Sequence, residues 1–180
     1  MRTAASAAGS WSADPDRHRM LIWFGVAAIV GVALVFDSPS MDHRFVLLGA
    51  VLPVAESLVG GPWILHTPIF GVGLLAAVML GARGRRLTQR RWLGMPIGML
   101  AHLVLDGTWT DTGLFWWPFA DADSLGSAPL PEFGRGWGGV ILELLGVALG
   151  LWAWRRFGMT DPKRRTAFLR TGRLDLERSG

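Results

Sequence analysis

His102 and Asp106 stand four positions apart at the end of an apolar run, Trp92 to Leu105 (WLGMPIGMLAHLVL). Four residues make about one helical turn, so the imidazole and the carboxylate share a face. Ionisable groups are expensive in lipid, so such a pair should face a protein interior or a water-filled cavity. Neutral imidazole with carboxylates is a donor set for Zn, Mn or Fe. A cation held that way acidifies water into a nucleophile and needs no Ser or Cys. Cys is absent, which excludes disulfides, thiolate metal sites and Cys nucleophiles. Ser57, Ser124 and Ser127 lack the strained-elbow context of a serine hydrolase. The competing reading is structural: His102, Asp106 and Glu143 hydrogen-bond one another and nearby loop backbone.

Polar and small residues coincide on other segments too. His66, Phe70, Gly73 and Ala77 fall on one helical stripe, and Gly49 and Glu56 lie seven apart on another. Gly139, Glu143, Gly146 and Gly150 line a third, while Gly94 and Gly98 share the face of His102. Small residues let helices approach closely, so the expected product is a bundle with an ionisable interior. Asp37, Asp42 and His43 read as surface groups near a helix start, where the dipole favours Asp. Asp121, Asp123 and Glu132 fall in a Gly/Pro-rich segment and read as solvated.

These stripes need elements to carry them, and the composition says which kind. Of 180 residues, 51% are hydrophobic and only 18% charged, against about 25% in a soluble domain. Mean hydropathy is +0.34. Residues 1–19 read as a disordered leader. Met20 to Phe36 is a first span, an anchor and not a cleaved signal, since no A-x-A site follows. Ser38-Pro39 looks like the start of a second helix reaching Val59, which either spans or re-enters. His66 to Ala82 is a third apolar element, followed by a loop, Arg83 to Arg91, with five arginines. The His102 helix comes next, then the acidic 107–136 segment and a last span from Trp137 to Phe157.

The expected fold is therefore all-α: a polytopic transmembrane bundle over 20–157 with four or five spans, one helix re-entrant in the four-span version. The net charge of +4 sits beside the apolar blocks, a membrane-orientation pattern and not a nucleic-acid footprint. It places the arginine loop and the basic tail, 158–180, on the cytoplasmic side of a cell (inner) membrane, with 107–136 outside. His66, His102 and Asp106 then share the outer end. Trp63, Trp109, Trp116, Trp117 and Trp137 fall near the outer interface, and Trp92, Trp152 and Trp154 near the inner one. No internal repeat points to a transporter.

The stretch HLVLDGTWTDTGLFWWPFA resembles the membrane-bound metal-dependent hydrolase family of YdjM-like inner-membrane proteins. That family carries an apolar HxxxD helix, then Thr and Gly, then a Leu/Phe-Trp-Pro run. The matching positions here are His102, Asp106, Thr110 or Thr112, Gly113 and Phe115-Trp116-Trp117-Pro118. His66-Thr67 resembles the His-Thr element that opens an earlier helix of the family. The agreement extends over about Leu48 to Phe119. The chain departs from the family at one place: Pro53-Val54-Ala55-Glu56 stands where it has Pro-Asp-x-Asp. The resemblance implies an integral-membrane hydrolase using a divalent metal (Zn or Mn), with His66, His102 and Asp106 as ligands and Glu56 as ligand or general base. Asp111 or Glu143 would stand behind them, orienting a ligand imidazole. The depth of the site suits an amphiphile such as a lipid-linked phosphoester. The alternative is a non-catalytic membrane protein whose buried His, Asp and Glu fix helix register, its basic tail serving a partner.

Overall fold

The computed structural model describes residues 20–38, 40–59, 62–126 and 137–174, and every regular element among them is helical. The leader expected at 1–19, together with Pro39, Ser127 and Glu132, lies outside the described residues. Helix α1, Leu21–Phe36, ends where Asp37 turns left-handed at φ 39° and donates its N–H to the Ala33 carbonyl. Asp tolerates that conformation better than most residues. Helix α2, His43–Val51, starts later than the Ser38-Pro39 signal predicts. Its cap is Asp42, whose side chain accepts from the Arg44 N–H. Pro53 has no N–H to continue the ladder, and the chain tightens into a 3-10 stretch, Leu52–Val59.

A short 3-10 turn, Ile64–His66, precedes α3, Pro68–Gly81, which has Pro in its first turn. Helix α4, Arg86–Trp92, carries the arginine loop into α5, Gly94–Asp106. Gly107, at φ 80°, ends α5 in the left-handed region where only Gly is unstrained. A one-turn α6, Thr112–Phe115, follows, then α7, Trp137–Arg156, and α8, Pro162–Thr171. Among the described residues α7 is the one helix long and apolar enough to cross a membrane, and 17% of its apolar window is buried. Helices α1 and α3 are apolar but shorter, at 16 and 14 residues.

The tightest seam joins α2 to α5. A Cβ on Gly94 would lie 2.8 Å from the Asp42 carbonyl oxygen, and one on Gly98 would strike the Val46 carbonyl. Gly49 meets the Met95 carbonyl from the other side in the same way. The contacts advance together by one turn on both helices, so α2 and α5 run parallel, backbone against backbone. Helices α1 and α7 form a second parallel pair, with Gly146 against the backbone of Trp23 and Gly150 against Val26. Ala28 and Val32 of α1 bury Met41, Val46 and Ala50, which ties the two pairs into one core.

The two ends of this bundle differ in chemistry. One gathers Arg44, Arg90 and Arg91, the basic end of α7 and α8; the other gathers Phe24, His66, His102 and Asp106. The basic tail is more than an appendage. Leu174 is buried with Val30, Ala33, Ala153, Phe157 and Met159, and the Gly172 carbonyl accepts from the His43 N–H at 2.7 Å.

The seam sets a measurable asymmetry between glycines. Gly98→Ala must push two backbones apart and should lower stability by about 1–3 kcal/mol, as overpacked cores do. Gly73→Ala on α3 meets nothing within 4 Å. It should leave the melting temperature unchanged or raise it, by up to about 1 kcal/mol of helix propensity. Thermal unfolding followed by circular dichroism compares the two, and equal losses would remove the seam from its structural role.

Candidate metal centre

The site is built where the 3-10 turn before α3 meets the last two turns of α5. His66 ends the turn Ile64–His66, and Glu56 fixes that turn. The Glu56 carboxylate accepts from the Trp63 N–H at 2.9 Å, the Leu65 N–H at 2.8 Å and His66 Nδ1 at 2.8 Å. Thr67, fully buried, donates its hydroxyl to the Ile64 carbonyl at 2.6 Å and tightens the same turn.

On α5, His102 Nδ1 lies 2.7 Å from the Ala50 carbonyl oxygen. Ala50 is one turn beyond Val46, and His102 one turn beyond Gly98, so this bond continues the glycine seam. The Phe24 ring covers the imidazole at a centroid distance of 4.2 Å, and His66 meets it edge-on at 5.5 Å. Asp106, the last residue of α5, accepts from the Thr108 hydroxyl at 2.6 Å through Oδ2. The left-handed Gly107 between them makes that reach available.

His66, His102 and Asp106 are each fully buried, and one ligand atom from each lies within 4.8 Å of the others. The group can hold a metal ion. A carbonyl oxygen only accepts, so His102 Nδ1 carries the proton of that ring and Nε2 presents a lone pair. The Glu56 oxygen that also accepts from the Trp63 N–H lies 2.8 Å from His66 Nδ1 and fixes the same tautomer on His66. Both imidazoles are thus set in the form that binds cations, each with a hydrogen-bond acceptor behind it. His102 Nε2 is buried and makes no hydrogen bond, which in a native interior calls for an explanation. Two imidazole nitrogens and a carboxylate oxygen match the His/Asp donor sets of Zn and related divalent ions, with bonds of about 2.0–2.2 Å.

The other residues singled out in the sequence take different positions. Glu56 stands behind His66 and spends its carboxylate on three donors. Glu143 receives the backbone N–H groups of Ile22 and Trp23, both at 3.2 Å, at the amino end of α1. Asp111 caps α6 by accepting from the Leu114 N–H at 3.1 Å. The task of orienting an imidazole, assigned from sequence to Asp111 or Glu143, is performed for His66 by Glu56 and for His102 by the Ala50 carbonyl. Asp42 and His43 lie at the opposite end of α2 and are buried, not the surface groups expected.

Thr108 and Phe24 escaped the sequence reading. Thr108 was legible as a hydroxyl two residues after Asp106 across a glycine. Nothing in the apolar run of α1 marks Phe24 apart from its neighbours. No family profile, curated protein or solved structure matches the chain.

Glu56 should be a costly carboxylate to remove. Glu56→Ala strands three donors in a buried position and should destabilise by at least about 3 kcal/mol. Glu56→Gln keeps one accepting oxygen and should lose less. Chemical denaturation of both variants tests this, and near-wild-type stability of Glu56→Ala would show that the turn is held by other contacts.

Proposed function

We propose that this chain is an integral-membrane, metal-dependent hydrolase of the YdjM-like kind, its site at the extracytoplasmic end of a helix bundle. One observation carries the reading: two buried imidazoles, locked in the same tautomer by acceptors on α2 and the 3-10 stretch that follows it, converge with a buried carboxylate. When bound, a divalent cation such as Zn or Mn supplies Lewis acidity to a substrate oxygen and acidifies water. His66, His102 and Asp106 hold it. Glu56 and the Ala50 carbonyl keep each ligand ring aimed, and Thr108 keeps the Asp106 carboxylate from swinging. Phe24 closes the inner face against water.

The turn at 53–56 supports the resemblance through its position. Glu56 touches His66, and Val54 is buried against Phe24 and Met20, beside the ring that covers His102. The family's Asp pair would therefore fall at the site, with valine filling the place of one carboxylate. That replacement also favours the second reading, in which the same groups serve only to fix helix register.

Exposed apolar side chains support the membrane. Leu80 on α3, Val104 on α5 and Leu144 on α7 are each at least 65% exposed, outside the pattern of a monomeric soluble domain. The packing supports five crossings, because α1 and α2 are antiparallel and α1 begins at the metal end. Trp109, Trp116 and Phe119 are exposed at that end, at the depth where an amphiphile such as a lipid-linked phosphoester would present its polar bond.

Two measurements decide these points. Compartment-specific reporters fused at Gly84 and Ser124 should report opposite sides of the membrane, and the same side for both would overturn the orientation. Elemental analysis of the purified protein, supplemented with Zn or Mn and kept free of chelators, should find about one ion per chain. His66→Ala, His102→Ala and Asp106→Ala should each lower that occupancy, and Glu56→Gln should weaken it by about 10–100-fold. If the three are ligands, removing His102 and Asp106 together should cost little more metal than either change alone; under the register reading, metal stays near zero throughout. A metal-free wild type would end the hydrolase proposal.

A further inference from the structure

At the arginine-rich end, three segments close round a polar cavity of about 260 Å³. Ser40, Asp42 and Arg44 come from the α1–α2 connection and the first turn of α2, and Arg91 comes from α4. Arg170, Thr171 and Arg173 come from α8 and the residues just after it. This cavity lies at the opposite end of α5 from the metal centre. Gly94 touches the Asp42 carbonyl, and Asp106 is twelve residues on, about 18 Å at 1.5 Å per residue.

The walls are fixed. The His43 N–H donates to the Gly172 carbonyl at 2.7 Å, and Arg44 Nη1 donates to the Leu169 carbonyl at 2.7 Å. Gly172, at φ 68°, packs so closely that a Cβ there would collide with the Asp42 carboxylate. Arg90 Nη1 donates to Ser40 Oγ at 2.9 Å and ties α4 to the same connection.

The charge inside does not balance. Arg44 grips Asp42 with two bonds, at 2.9 and 2.8 Å, and Arg91 Nε reaches the same carboxylate at 3.3 Å. Burial works against the Asp42 charge, but the hydrogen bonds from Arg44 and the two guanidiniums outweigh it and hold the carboxyl below its ordinary value. Asp42 is therefore ionised at neutral pH. Among the described residues it is the one carboxylate beside four arginines on the cavity wall, Arg44, Arg91, Arg170 and Arg173. Guanidiniums in a cleft with excess positive charge fit the oxygens of a phosphate group in paired hydrogen bonds. A general attraction of bases to a membrane surface needs no cavity and no convergence of three segments.

We propose that this cavity binds a phosphate group, presented either by an anionic lipid headgroup or by a soluble phosphorylated molecule. Arg170 and Arg173 supply the charge that Asp42 leaves uncompensated, while Arg44 and Arg91 shape the floor. Docking of α8 creates the site, which gives the burial of Gly172 and Leu174 a function.

The test uses the purified full-length protein at fixed ionic strength. It is titrated separately with inorganic phosphate, with short-chain phosphatidylglycerol below its micelle concentration, and with short-chain phosphatidylcholine. Calorimetry should show saturable binding of phosphate or of phosphatidylglycerol, with phosphatidylcholine weaker. Saturation by inorganic phosphate identifies a soluble source, and saturation by phosphatidylglycerol alone identifies a lipid headgroup. Arg170→Gln with Arg173→Gln should weaken binding by about tenfold or more. Arg83→Gln with Arg85→Gln removes equal charge from exposed positions that do not line the cavity and should leave affinity within about twofold. Arg173→Gln alone, which lies beyond α8, repeats the comparison should the double change disturb that helix. Equal weakening by the cavity and control pairs, or no saturable binding of either anion by the wild type, overturns the proposal.

Discussion

Backbone contact between α2 and α5 is the constraint on which the rest of the molecule depends. Gly49, Gly94 and Gly98 let two main chains touch, in parallel and in step. One turn further along the same seam, the main chain of α2 becomes the hydrogen-bond partner of His102. With a larger residue at Gly98 the helices would stand apart, and the Ala50 carbonyl would no longer reach that ring. The small residues thus do more than permit packing. They convert close approach into a fixed imidazole orientation, which a looser bundle could not impose.

Each of the three side chains that could hold a metal ion is supported from a different element: His66 by the stretch after α2, His102 by α2 itself, Asp106 by the turn after α5. The arrangement draws its rigidity from groups that must be satisfied anyway. The Trp63 and Leu65 N–H groups and the Ala50 carbonyl, beside the proline that ends α2, need partners inside the fold. Glu56, which partners the two N–H groups, also orients His66, and His102, which partners the carbonyl, is oriented by it. Stability and site geometry are therefore carried by common hydrogen bonds, and a change such as Glu56→Ala acts on both.

Much of this was legible in the sequence. One-turn spacing put His102 and Asp106 on the face of Gly94 and Gly98, and the structure places all four on the buried side of α5. The stripe of Gly139, Glu143, Gly146 and Gly150 likewise marks the face of α7 that packs on α1. What escaped was whatever depends on the partner helix. Periodicity shows which residues share a face but not which face meets which, so Glu143 read as an imidazole partner and the Ala50 carbonyl could not be seen at all. The second helix misled for a local reason: Ser38-Pro39 has the chemistry of a helix start, yet Asp42 supplies the cap and Pro53 ends the α-helical ladder. Basic composition hid the docking of α8, because it rests on Gly172 and Leu174, two unremarkable residues among charges.

Glu143 bears on the site after all, by an indirect route. The first N–H groups of a helix have no partner within it, and the dipole there favours negative charge. By accepting from Ile22 and Trp23, a carboxylate on α7 fixes both the depth and the rotation at which α1 begins. Phe24 is the next residue, and its ring is the one that lies on His102. A shift of α1 by a single residue would rotate it by about 100° and carry that ring away from the imidazole. The chain of dependence therefore runs from α7 to α1 to His102. A carboxylate whose partners among the described residues are backbone N–H groups thus influences what covers His102, which is why charge on an apolar helix face need not touch a site to shape it.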